Sequence, residues 1–264
     1  MNYISLSYAD IGIAAALMVV CGGLSIAFNL KLESKLFIAS LRMTAQLVLI
    51  GLVLKILFSL TSPLLTGLMA AVMILVAGYE ITARQTHKLP GWRSYGLGIG
   101  ILVIAPTLIV AFALLVQIKP DPWYDPRYLI PLLGMLLGNT LTGVSLGLNT
   151  LMTSAKRDRI AIEAQLTLGK TKWQAMKPVM RHATYTAFMP IINTMSATGI
   201  VSLPGMMTGQ ILAGVDPVDA VKYQLLVMFL IGGATGIGVV LAILGGTSLI
   251  TDQRHRLRLD RFKA

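Results

Sequence analysis

The stretch Lys156–His182, KRDRIAIEAQLTLGKTKWQAMKPVMRH, is the longest polar interval in the sequence. It carries seven of the 22 Lys and Arg residues and only two acidic residues, Asp158 and Glu163. Charge-free apolar blocks lie on both sides of it, at Tyr128–Ala155 and Ala183–Val215. Because a helix needs about 20 mostly apolar residues to cross a bilayer, this pattern is typical of a polar connection between two membrane spans.

The composition of the whole chain supports a membrane protein. Of its 264 residues, 55% are hydrophobic and 12% are charged, and the mean hydropathy is +0.76. A soluble domain has about 25% charged residues. We therefore predict an all-α polytopic membrane protein with about seven transmembrane helices, forming a single transmembrane domain over residues 1–264. The predicted spans cover about residues 9–30, 36–58, 64–83, 95–117, 128–152, 183–203 and 220–250, with a polar loop over 153–182.

The distribution of basic residues predicts the orientation of these spans. With seven spans, 18 of the 22 Lys and Arg residues lie on one side, and the other side has only Lys55, Lys119, Arg127 and Lys222. The positive-inside rule then places the N-terminus outside, the C-terminus in the cytoplasm and the loop over 153–182 in the cytoplasm. The predicted location is the inner or plasma membrane.

Several classes of chemistry find no support in the sequence. The basic residues lie between apolar blocks, which argues against a nucleic-acid partner. The segment 169–171, Gly-Lys-Thr, is not a phosphate-binding loop, because Ala164 stands where that motif needs a glycine. The three histidines, His87, His182 and His255, are scattered. We expect no enzyme activity and no cofactor bound by this chain.

Polar residues inside the predicted spans are candidates for a substrate path, since they are costly in a membrane and usually face the bundle interior. Arg42 and Gln46 are four residues apart on one face of the second span, and Asn139 lies in the fifth. In that fifth span Gly134 and Gly138 are better explained by close helix packing.

The segment after Pro204-Gly205 is too short to cross the membrane and interrupts a span, which predicts a re-entrant or interfacial piece over 205–214. Met206 and Met207 lie there, and their thioether sulfurs suit soft metal ions. Methionine is equally an ordinary filler of apolar cores. Asp216-Pro217 predicts the start of the last helix.

A family resemblance begins in the polar stretch. The segment 163–169, Glu-Ala-Gln-Leu-Thr-Leu-Gly, resembles the EAA loop of bacterial ABC-transporter permeases, with Gln165 in place of the second Ala and no closing Pro. The resemblance implies that Glu163, Ala164, Gln165 and Gly169 belong to a short cytoplasmic coupling helix. In that family the helix docks in a groove of the ATP-binding subunit.

A second resemblance is more specific and covers nearly the whole chain. The segments 199–209 (GIVSLPGMMTG), 213–217 (AGVDP) and 222–224 (KYQ), with Arg42 and Gln46-Leu47, resemble the FetB/YbbM family of permeases. This resemblance implies that the chain is the permease of an ABC transporter and forms a homodimer in membrane lipid. It also implies a separate partner, a FetA-like ATPase, which binds ATP and Mg. It also implies a metal cation as substrate, with iron export in bacterial members and aluminium tolerance in plant relatives.

Three alternatives stay open at this point: an ABC permease for a non-metal substrate, a stand-alone secondary transporter or channel, and an intramembrane enzyme. Against the second, no clear pair of inverted repeats is visible and membrane carboxylates are scarce. Against the third, the sequence contains no recognisable catalytic constellation.

Overall fold

The computed structural model describes residues 7–85 and 92–259, and they are almost entirely helical. His87 lies outside the described residues. No β-strand forms in the described part of the chain. The helices are α1 (Tyr8–Ala27), α2 (Glu33–Leu60), α3 (Pro63–Ala83), α4 (Trp92–Phe112), α5 (Pro126–Arg157), α6 (Arg159–Thr167), α7 (Lys172–Ala197), α8 (Gly205–Leu212) and α9 (Pro217–Ile250), with a π-helical extension of α4 over Ala113–Ile118.

The predicted all-α membrane fold is confirmed. Within the described residues, six helices are long and apolar enough to cross a membrane: α1, α2, α3, α4 with its extension, α5 and α9. They correspond to six of the seven predicted spans, and the remaining one, over 183–203, falls on α7.

Helix α7 differs from the predicted span at both ends. It begins at Lys172, inside the polar stretch, because Thr171 caps it: Gln174 N–H donates to the Thr171 hydroxyl, and Gln174 Oε1 accepts from Thr171 N–H. It then continues without a break to Ala197, so its first half is polar and its second half apolar. The predicted loop over 153–182 is therefore mostly helix.

The first structural unit, Met1–Ser62 with Leu212–Gly214, contains the hairpin of α1 and α2. The Ser25 hydroxyl joins the two helices, since it donates to Glu33 Oε2 (2.8 Å) and accepts from Leu32 N–H (2.9 Å). Only 6% of the apolar window of each helix is buried. Apolar side chains exposed to this extent need lipid or protein neighbours to be stable in a membrane protein.

The second unit, Pro63–Ile211 with Val215–Ala264, is built around α5 and α9. Helices α3, α4 and α7 also pack against α5, and 56% of the apolar windows of α5 and α9 is buried. Both central helices start as Asp-Pro pairs: Asp125 accepts from Arg127 N–H and Asp216 from Val218 N–H, each at 2.9 Å. The single domain expected over 1–264 stays a prediction.

Glycines allow α5, α7 and α9 to approach closely. A Cβ at Gly238 of α9 would lie 2.6 Å from Thr140 Cγ2 of α5, and one at Gly143 of α5 would lie 2.9 Å from Thr235 Cγ2 of α9. At Gly138, by contrast, a Cβ would meet nothing within 4 Å. The close packing thus uses a different face of α5 from the one that contains Gly138.

These contacts predict opposite effects for two glycines of the same helix. We expect Gly143→Ala to lower the free energy of unfolding by about 1 kcal/mol or more, because stiff β-branched side chains must shift to admit a methyl group. Gly138→Ala is the matched control, and we expect it to be neutral or slightly stabilising, since Ala favours a helix over Gly. Thermal unfolding of both variants in detergent measures the difference. Equal stability of the two would contradict the close α5–α9 contact.

Candidate functional site

Two places in the second unit contain six of the nine residues that the sequence singled out as candidate site residues. The first is the corner formed by α6 and the turn that follows it. Helix α5 ends at Arg157, whose guanidinium donates to both carboxylate oxygens of Asp158 at 2.9 and 3.1 Å. This hydrogen bonding holds the pKa of Asp158 below its ordinary value. Asp158 therefore stays ionised at the start of α6.

The residues of the EAA-like motif all lie on α6 or in the turn after it. Glu163 Oε1 accepts from Arg159 Nε at 2.8 Å, one helical turn away. Ala164 is exposed and Gln165 is half-buried. The helix ends at Thr167, and Gly169 follows with φ of +86°, a left-handed conformation that glycine adopts without strain. The predicted short helix and its glycine turn are thus both present.

Helix α6 has one anchored side and one open apolar side. Ile162 is 3% exposed and packs in a core cluster with residues of α5, α7 and α9. Ile160 and Leu168, the residue that caps the end of α6, are 84% and 81% exposed, and with Ala164 they recur at four-residue steps on one side. Sequence reasoning missed Ile160 and Leu168, although their spacing around Ala164 was a readable signal.

The second place is a cavity of about 190 Å³ between α5, α7, α9 and the start of α8. It contains two of the predicted substrate-path residues, Asn139 and Met206, which are far apart in the sequence. The residues that line it are Met135, Asn139, Ile191, Thr194, Pro204, Gly205, Met206, Gln224, Val227, Met228 and Ile231. The lining contains no ionisable side chain; its polar side chains are two amides and a hydroxyl, and three methionines add thioether sulfurs.

The amide groups of the cavity differ in their hydrogen bonding. Asn139 Nδ2 donates to Met135 O at 2.9 Å, which ties that side chain to its own helix. Gln224 is 6% exposed, and its Oε1 has no hydrogen-bond partner among the described residues. A buried amide oxygen without a partner costs free energy unless a ligand or water reaches it. Gln224 is therefore a lining residue of this cavity whose amide oxygen is not used in hydrogen bonding within the described chain.

The other predicted residues lie elsewhere. Met207 follows Met206 on α8 but does not line the cavity. Arg42 and Gln46 are exposed on α2 in the first unit, where they line an open surface pocket of about 340 Å³. Gln224, which sequence reasoning used only as part of a family pattern, could have been found as the one Gln or Asn in the charge-free block Tyr223–Thr251.

The interruption predicted at Pro204-Gly205 is present and forms one wall of the cavity. Helix α7 ends at Ala197, Gly199 has φ of +92°, and α8 starts at Gly205. Irregular backbone at membrane depth occurs where it lines a cavity or is buried in protein. In the described part of the chain, no group of three or more His, Cys, Asp or Glu side chains comes together as a metal site.

These features define the class of protein: a multi-pass helical membrane protein with a short helix in the polar stretch between α5 and α7 and a small polar cavity in its helix bundle. The chain belongs to the UPF0014 family, described as an uncharacterised protein family, whose model matches residues 8–250. No solved structure matches it.

Three relatives show how far the similarity extends. A UPF0014 membrane protein of Synechocystis is 38% identical over 86% of this chain and 87% of its own length. The Arabidopsis thaliana protein ALUMINUM SENSITIVE 3 is 35% identical over 84% of this chain and 80% of its own. The probable iron export permease protein FetB of Escherichia coli is 30% identical over 100% of this chain and 99% of its own. Two of these names describe a membrane protein and a permease, and none describes an enzyme, so the comparisons support a membrane permease.

The unpartnered amide of Gln224 generates a stability prediction. We expect Gln224→Leu to raise the free energy of unfolding in the absence of ligand, because a buried unsatisfied polar group costs about 1–3 kcal/mol. Gln46→Leu, at an exposed position, serves as the control and should give no such gain. Thermal unfolding in detergent is the measurement. A clear loss of stability in Gln224→Leu would show that its amide is hydrogen-bonded in the ligand-free protein.

Proposed function

We propose that this chain is the permease subunit of an ABC transporter, driven by a separate ATP-binding subunit through α6. The exposed apolar face formed by Ile160, Ala164 and Leu168 carries the proposal. An exposed apolar patch on a short helix that is otherwise surrounded by polar residues marks a protein contact. The resemblance of residues 163–169 to the EAA loop points to the same helix.

The packing around α6 supports a path for force. Ile162 fastens α6 to a buried cluster that includes Met152 of α5, Met176 of α7 and Ile250 of α9. The same three long helices line the cavity that contains Asn139 and Gln224. When the ATP-binding subunits close, the displacement of α6 therefore reaches the cavity walls through close-packed helices, because close-packed helices transmit strain. ATP and Mg bind in the partner subunit, and this chain supplies only the contact.

The proposed assembly is a homodimer of this chain with the ATPase. Helices α1 and α2 leave nearly all their apolar side chains exposed within one chain. A second copy and membrane lipid together cover such surfaces.

The proposed cargo is a metal cation, iron or another, moved outward. The full-length similarity to a probable iron export permease supports this substrate class. The cavity offers thioether sulfurs from Met135, Met206 and Met228 and an amide oxygen from Gln224. Thioethers favour soft cations, and hard trivalent ions prefer carboxylates. The donor set thus fits a cation in a low oxidation state better than a hard trivalent ion.

The coupling role predicts a loss of partner binding from one surface change. Ile160→Asp puts a charge on the exposed apolar face, and we expect it to abolish co-purification with the ATP-binding subunit while membrane insertion stays normal. Val218→Asp is the matched control, because Val218 is also exposed (63%) but lies at the start of α9. Affinity purification of the co-expressed pair measures binding. Normal binding of the ATP-binding subunit by Ile160→Asp would contradict the assignment of α6 as the coupling helix.

The cargo assignment predicts a difference between two neighbouring methionines. Met206→Leu keeps the volume but removes a sulfur from the cavity, and we expect it to reduce metal export several-fold. Met207→Leu makes the same change outside the cavity lining and should transport normally. The measurement is the cellular content of iron, manganese, copper, zinc and cobalt under overload, with and without the intact pair.

Two outcomes would redirect the proposal. Unchanged metal content with and without the pair would exclude metal export and favour a non-metal substrate. Flux through the purified chain alone, driven by an ion gradient, would favour a stand-alone transporter.

A further inference from the structure

An open cleft of about 590 Å³ lies along α7 beside the end of α6. Its lining includes Lys170, Lys177, Arg181 and His182, and it contains no carboxylate. Tyr185 lies at its far end and is 65% exposed. Two lysines, an arginine and a histidine thus share one surface depression.

The two lysines and the arginine of the cleft have no carboxylate partner among the described residues, whereas His182 lies close enough to Asp158 to help lower the pKa of that carboxyl. Lys177 and Arg181 form no ion pair with a described carboxylate. The two acids of the polar stretch pair with other bases: Asp158 with Arg157, and Glu163 with Arg159. Lys170 Nζ only reaches Gln165 Oε1, at 3.4 Å. Clustered like charges repel one another, so an anion in the cleft is the state of lowest electrostatic energy.

The cleft lies where α7 changes from polar to apolar. Lys177, Arg181 and Tyr185 recur at four-residue steps, so they share one face of α7. The core face of the same helix contains the buried residues Val179 and Ala183. After Arg181 and His182 the sequence has no charged residue until Asp216. With the uncharged half of α7 in the membrane, the cations would lie at the level of the lipid headgroups, and Tyr185 would lie where tyrosines are favoured at membrane interfaces.

We propose that this cleft binds the phosphodiester headgroup of an anionic phospholipid. The guanidinium of Arg181 suits two phosphate oxygens at once. Lys177 and Lys170 add point charges, and the ring of Tyr185 packs beside the glycerol and the upper acyl chain. Basic pockets at the cytoplasmic end of membrane helices recognise anionic headgroups in this way.

The bound lipid bridges two elements. Lys170 belongs to the turn after α6, whereas Lys177 and Arg181 belong to α7. A headgroup bound by all three residues stabilises the corner formed by α6 and the turn after it, which the ATP-binding subunit is proposed to contact. The lipid site itself does not depend on that proposal, because its charges and its position lie within this chain. A second copy of this chain is a poor occupant, because it would bring a second set of cations against the first.

The test uses the full chain purified without any ATP-binding subunit. Native mass spectrometry counts the phosphatidylglycerol retained from detergent micelles that contain phosphatidylglycerol and phosphatidylcholine. We expect the double variant Lys177→Gln/Arg181→Gln to bind phosphatidylglycerol roughly ten- to thirty-fold more weakly, since each basic residue near an anionic lipid contributes about 1 kcal/mol. The matched control, Lys156→Gln/Arg254→Gln, removes two exposed charges outside the cleft and should bind nearly as the unmodified chain does.

Each remaining outcome counts against the proposal. Equal loss of phosphatidylglycerol in both double variants would show charge attraction without a site. Displacement of the lipid by inorganic phosphate at comparable concentration would show a site for free anions. Normal lipid binding in Lys177→Gln/Arg181→Gln, combined with lost co-purification of the ATPase, would assign the cleft to an acidic surface of that partner. Because lipid binding is measured without the ATPase, its failure is separate from failure of the coupling role.

Discussion

The close approach of α5 and α9 is the constraint on which the second unit depends. Gly143 and Gly238 remove the side chains that would hold these helices apart, and Thr235 and Thr140 fill the space from the opposite helix. In a membrane the lipid competes with apolar side chains as a packing partner, so helices associate through close van der Waals contact rather than through the hydrophobic effect. The other helices of the unit then pack around this pair.

The same packing links the two candidate functional places. Ile162 connects α6 to the buried cluster at the polar end of α5, α7 and α9, and Gln224 and Asn139 lie farther along these helices. A continuous α7 is essential to this link. Had the helix ended at Pro178 or Pro190, a non-helical connection would separate the α6 corner from the cavity.

Sequence reasoning predicted most of the fold because a bilayer demands long apolar helices, and these are visible as charge-free blocks. It also predicted the α6 helix and its glycine turn, since Gly169 is the residue type that a left-handed turn requires. It did not predict that α7 starts at Lys172. The capping pair Thr171 and Gln174, a threonine followed three residues later by a glutamine, was a readable signal for that start.

The sequence alone therefore determined the class of protein, the number of apolar helices to within one and the position of the short polar-side helix. Only the tertiary structure decided which residues meet. Asn139 and Met206 share a cavity with Gln224, whereas Met207, one residue away, does not line it. Helical period defines faces along a single helix, but which face meets which neighbour depends on side-chain volumes across several helices at once. That is a property of the packed structure, and no local pattern in the sequence records it.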